Sequence, residues 1–177
     1  MLQETEKTYL HNLVKIAIDS GLTGKQFPIP APPSETLSKH LGAFVTLRLQ
    51  GNLRGCIGRI ESDRPLFETI FSMARAAAFH DPRFAPLSQE EFQEIETEIS
   101  ILTPVQPVTD TKTILPGRHG LIVQKGRFSG LLLPQVATEY GWDTTTFLEQ
   151  TCQKAGLPKD AWQEKDTRIF SFQAEVF

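Results

Sequence analysis

Cysteine is scarce in this chain, with two residues in 177, Cys56 and Cys152. Two thiols at unrelated spacing make no disulfide framework. No CxxC, no HExxH and no paired Cys/His cluster occurs, which argues against a structural zinc site. No stretch approaches the roughly 20 apolar residues that a membrane span needs. Met1 to Lys7 is polar and acidic, unlike a secretory leader. A basic excess is also lacking: 18 Lys+Arg against 21 Asp+Glu leave a formal charge of −3. That balance argues against a general nucleic-acid binder, although Arg48, Arg54 and Arg59 form a local group of cations. What remains, 40% hydrophobic and 22% charged residues, is the composition of an ordinary globular protein. The length fits one domain, or two small subdomains sharing a core. The expected compartment is the reducing cytoplasm.

Periodicity gives the elements. Glu4 to Ser20 reads as a helix, with Leu10, Leu13, Val14 and Ala17 on one stripe and Gly21 as its stop. Gln26 to Pro33 carries four prolines and reads as an extended connection. Gly42 to Gln50 alternates, with Ala43, Val45, Leu47 and Leu49 on one face and Phe44, Thr46 and Arg48 on the other. A turn at Gln50-Gly51-Asn52 returns the chain as a partner strand, Leu53 to Ile60. A helix follows from Pro65 and cannot pass Pro82. Ser88 to Glu91 matches a capping box, and Ile95 to Leu102 alternates again before Pro104 and Pro107. The second half repeats this order. Leu121–Gln124 and Phe128–Leu133 form a hairpin; helices follow at Pro134–Tyr140 and Thr144–Ala155, and a last strand at Arg168–Val176. The expected fold class is therefore α+β: a mainly antiparallel sheet with flanking helices and a pseudo-duplicated hairpin–helix–strand order, in two unequal subdomains.

The most unusual stretch is Leu53-Arg54-Gly55-Cys56-Ile57-Gly58. Strand periodicity puts Arg54 and Cys56 on one face, and a guanidinium beside a thiol favours the thiolate. Gly55 and Gly58 remove bulk around the thiol, or mark close approach by another backbone or a ligand. Cys56 is thus a candidate nucleophile, redox thiol or single metal ligand, set against the ordinary tendency of a free cysteine simply to pack. His80-Asp81-Pro82-Arg83-Phe84 sits on a rigid turn. There His80 reads as a helix C-terminal cap, and Asp81 and Arg83 as a local ion pair or as cleft groups. Glu96 and Glu98 share a strand face about 7 Å apart, and Glu98 is the stronger candidate if the sheet is covered on both sides. His119 lies in a Gly-rich turn and Gln135 at a helix start, where either could face a ligand. Spacing ties no metal site together. Cys152, Trp142 and Trp162 read as packing residues.

Those motifs carry a resemblance. LRGCIG at Leu53–Gly58 resembles the signature of the AMMECR-one domain family, whose bacterial and archaeal members are called AmmeMemoRadiSam system protein A. Further matches are Asp81-Pro82-Arg83-Phe84, Glu98 to Leu102, His119-Gly120, Gly130 to Asp143, and Lys154 to Pro158. They run in order over nearly the whole chain, which is identified as a single domain of this type over residues 1–177. The resemblance implies an antiparallel α+β fold in two unequal parts with the LRGCIG segment in a cleft. It also implies a shared pathway with Memo-type proteins and radical S-adenosylmethionine enzymes, though this chain lacks the CxxxCxxC of the latter.

Three functional expectations follow, in descending order. The first is an enzyme, or enzyme component, with Cys56 as the reacting thiol. In it Arg54 stabilises the thiolate or an anionic substrate, and Glu98 or His119 moves a proton. Gly55, Gly58, Asp81, Arg83 and Gln135 would line the binding site. The second is a non-catalytic module that binds a ligand or a protein. The third is a nucleic-acid-associated regulator, which the acidic balance supports poorly. No pattern names a cofactor or a small-molecule ligand.

Overall fold

A computed structural model describes all 177 residues, and the chain divides into two compact units. The first comprises Met1–Leu102 with Glu175–Phe177, and the second Thr103–Ala174. Every strand pair within a unit is antiparallel, and helices accompany both sheets, as the alternation implied.

The first unit opens with helix α1 (Glu4–Thr23). A capping box between Gln3 and Glu6 satisfies its first amides, and Gly24, at φ 68°, ends it. The sequence alone predicts a stop at Gly21, three residues before the observed cap. The helix runs on through Gly21, where the Phe79 ring occupies the space a Cβ would take. Strands β1 (Ala43–Leu49) and β2 (Asn52–Arg59) form the hairpin, helix α2 (Leu66–Phe79) follows, then the short helix α3 (Gln89–Phe92) and strand β3 (Ile95–Leu102). β1 lies in the middle, paired with β2 on one side and β3 on the other. Leu10, Leu13, Val14 and Ala17 of α1 meet Ile70, Ala74 and Ala77 of α2, over Val45, Leu47 and Ile99 of the sheet. Phe177 exchanges backbone hydrogen bonds with Ile99, so the chain end closes this unit.

The second unit repeats the plan. Strands β5 (His119–Lys125) and β6 (Phe128–Leu132) form a hairpin. Helices α4 (Pro134–Glu139) and α5 (Thr144–Lys154) follow, then strand β7 (Arg168–Val176). β5 lies between β6 and β7, as β1 lies between β2 and β3. Asp143 caps α5 through the Thr146 amide. Phe147, Leu148 and Cys152 of α5 pack on Leu121 and Val123. Beyond β3, which ends at Leu102 ahead of both prolines, Pro107 belongs to a two-residue strand β4 (Gln106–Pro107) that pairs with β7. A strand that pairs on one side only tolerates the missing N–H of a proline.

The duplication extends to a glycine. Gly55 on β2 meets the carbonyl oxygen of Ala77 near the C-terminal end of α2. Gly130 on β6 meets the backbone of Ala155 at the C-terminal end of α5. In each unit the second hairpin strand touches a helix end where no side chain would fit.

Candidate functional site

Gly55 and Gly130 align the two units residue by residue. Gly55 lies opposite Leu47, and Gly130 opposite Val123. One position further on, Cys56 lies opposite Thr46, and Thr46 lies opposite Glu98 on its other side. The corresponding row of the second unit is Leu131, Ile122 and Phe170. The same topology thus carries three apolar side chains in one copy, and a thiol, a hydroxyl and a carboxylate in the other. The second unit forms the same three-strand row without a polar side chain.

Within that row the Thr46 hydroxyl is 3.2 Å from the Cys56 Sγ and donates to it. Thr46 is buried, at 6% exposure, while Cys56 and Glu98 are half-buried. Sequence reasoning missed Thr46 because the register is shifted. Counted back from the turn, Thr46 would face Gly55. The ladder slips at Leu47/Arg48, so Arg54 is left without a partner and Cys56 comes level with Thr46.

The bulge also re-aims Arg54. Its guanidinium forms a two-point pair with Glu91, 2.8 and 2.9 Å, and donates to the Ala85 carbonyl at 2.9 Å. Glu91 is the capping-box carboxylate of α3 and also accepts from the Ser88 amide. Its hydrogen bonds from Arg54, and then from Ser88, hold its carboxyl below the usual range. The same pairing raises Arg54. Arg54 is therefore a tie between β2 and the segment preceding β3, with its charge matched by Glu91.

Asp81 and Arg83 brace the backbone of Cys56. β2 pairs with β1 alone, so the N–H and C=O of Cys56 face a free edge. The Cys56 amide donates to Asp81 Oδ2 at 2.9 Å, and Arg83 Nη2 donates to the Cys56 carbonyl at 3.3 Å. Arg83 also holds Asp81 through Nε and Nη2, 2.9 and 2.7 Å. These two side chains stand in for a neighbouring strand along one residue of the edge. The Arg83 guanidinium holds the Asp81 carboxyl far below the ordinary range. The Cys56 and Arg83 amides add to this, against the opposing effect of burial.

Gly55 and Gly58, read as space around the thiol, have packing roles: the first admits the end of α2 and the second the Phe44 ring. His80 is the C-cap of α2. His119 and Gln135 belong to the second unit, where the Leu115 amide donates to His119 Nδ1 at 3.2 Å. Burial, with Arg118 contributing, lowers the His119 imidazole. The Gln135 side-chain oxygen is buried without a partner. Cys152 is fully buried, which pushes its thiol up. No three His, Cys, Asp or Glu side chains converge on one point, and no helix is long and apolar enough to cross a membrane.

The molecule is thus a duplicated antiparallel α+β protein in which one copy carries a polar, thiol-bearing row. The chain belongs to the AMMECR1 family, whose model matches residues 11–177. It is 45% identical over 176 residues to a protein of Aquifex aeolicus, covering 95% of this chain and 90% of that one. It is 43% identical over 183 residues to a protein of Methanothermobacter thermautotrophicus, covering 99% and 95%. The crystal structure of uncharacterized protein PH0010 from Pyrococcus horikoshii superposes with a TM-score of 0.91. Sequence identity there is 38%, over 99% of this chain and 92% of that chain.

Proposed function

We propose that the chain is an enzyme, or an enzyme component, whose reacting group is the Cys56 thiol, with Thr46 and Glu98 carrying its proton. The observation that supports this reading is the Cys56–Thr46–Glu98 row and its replacement by Leu131–Ile122–Phe170 in the duplicate. A hydroxyl both donates and accepts. In the structure the Thr46 hydroxyl donates to the sulfur, the arrangement that suits a thiolate; to deliver the proton, the Glu98 side chain turns onto the hydroxyl, which takes the thiol proton while passing its own to the carboxylate. Asp81 and Arg83 fix the backbone of Cys56 during this exchange. The pathway shared with Memo-type and radical S-adenosylmethionine proteins rests on the family resemblance and is part of the proposal.

One observation favours a binding module instead. Arg54 is already matched by Glu91, so it offers the thiol no uncompensated charge.

Iodoacetamide labelling of the native chain, resolved by peptide mass spectrometry, separates the two. Labelling is expected at Cys56, with Cys152, fully buried, as the unlabelled internal control. Glu98→Gln and Thr46→Val are each expected to slow Cys56 labelling at neutral pH by about tenfold. Equal rates in wild type and both variants would remove the relay and leave the binding module as the better reading.

A further inference from the structure

A second polar feature of the first unit lies at the other end of β2. Arg59, Ser62, Arg64, Thr69, Ser72 and Met73 line a cavity of about 80 Å³. Every polar side chain in that lining can donate a hydrogen bond, and none is a carboxylate. Arg54 and Arg83 are each paired with an acid, whereas Arg59 and Arg64 form no salt bridge. Glu61, Asp63 and Glu68 occupy the same segment, yet none lines the cavity.

The hydroxyls can also turn toward a ligand. Ser62 Oγ lies 2.7 Å from Thr69 Oγ1 and accepts from the Arg64 amide at 3.1 Å. Thr69 has a second acceptor in the Pro65 carbonyl at 3.1 Å. With the Thr69 hydrogen on Ser62, the Ser62 hydrogen is free to donate elsewhere. Helix α2 contributes Thr69, Ser72 and Met73 to the lining.

We propose that this cavity binds a phosphoryl group, either free phosphate or the head of a phosphate monoester. A tetrahedral oxyanion offers acceptors in several directions and matches the two guanidiniums and the hydroxyls of the lining. The volume holds the phosphoryl group alone, so the remainder of a monoester would extend into solvent. The site is separate from the Cys56 row, and the proposal stands or falls independently of it.

The test is titration of the full chain with inorganic phosphate at constant ionic strength, followed by amide and arginine Nε–H NMR shifts. Saturable shifts confined to residues 59–73 are expected. Arg59→Gln and Arg64→Gln are each expected to weaken binding about tenfold, the loss of one charge-assisted contact. Arg127→Gln, which removes the same charge in the second unit, leaves it unchanged. A parallel titration with glycerol phosphate distinguishes the sources: tighter binding than phosphate marks a monoester site, and equal binding a site for the free ion. Shifts that do not saturate, or equal weakening by all three variants, would overturn the proposal. Amide dispersion in each spectrum verifies that the variant is folded.

Discussion

Gly55→Ala is expected to lower the unfolding free energy by about 3 kcal/mol or more, toward the upper end of overpacking costs. A Cβ at residue 55 would lie far inside contact distance of the Ala77 carbonyl oxygen. That obstacle is helix backbone, so no rotamer change relieves it. Either α2 lifts away from the sheet or β2 moves, and α2 carries Ile70, Ala74 and Ala77 into a fully packed core. Gly58→Ala is the informative comparison. Its nearest obstacles are the base of the Phe44 ring, which a change of χ1 moves, and the Ala43 carbonyl, which stands farther off than the Ala77 carbonyl does from residue 55, so a smaller loss is expected. Gly51, with open space around it but φ 78°, supplies a third case in which strain comes from the backbone alone. Urea unfolding of the three variants should rank Gly55→Ala as the most damaging. A loss at Gly55 no greater than at Gly51 would show that the helix end yields easily. Gly130→Ala is expected to reproduce the Gly55 result in the second unit, because the obstacle there is again helix-end backbone.

Alternation and punctuation made most elements legible. β1, β3 and β7 follow period-two patterns, and β7 spans Arg168–Val176 as read from the sequence. Ser88 and Asp143 announce α3 and α5 through caps that the structure retains. The duplicated order was legible as a pattern, but the matching glycine contacts were not, since each depends on a helix end distant in sequence. The candidate site was legible only in its residue types. Cys56, Glu98, Asp81 and Arg83 attract notice because thiols, acids and a rigid turn are visible in one dimension. Their partners are not. The bulge at Arg54 breaks the count that would place Thr46 beside Cys56, and it sends Arg54 to a carboxylate 37 residues away. A one-residue slip of register has no signature in composition, and it decides which side chain meets the thiol.

Asp81→Asn is expected to cost about 2–3 kcal/mol at neutral pH, less than a fully buried ion pair because Arg83 is 53% exposed. The carboxylate accepts from the Cys56 amide on Oδ2 and from the Arg83 amide on Oδ1, with Arg83 side-chain nitrogens on both oxygens. An asparagine has one acceptor oxygen, so whichever way it turns, its NH₂ faces a donor. The edge of β2 then loses its stand-in strand at Cys56 itself. The pH dependence distinguishes this from generic damage. The folded-state pKa of Asp81 is depressed, chiefly by Arg83. Its stabilisation is therefore complete above the unfolded value of about 3.9 and declines as pH falls below it toward the folded one. Glu91 is also depressed, but it contributes equally to wild type and variant. The stability gap between wild type and Asp81→Asn should accordingly hold from neutral pH to about pH 5 and narrow below about pH 4. A gap that stays constant through the acid range would mean that the carboxylate's charge is not what braces Cys56. Iodoacetamide labelling of the same variant gives a second readout: loosening of the edge should change the Cys56 rate while Cys152 remains protected in its core.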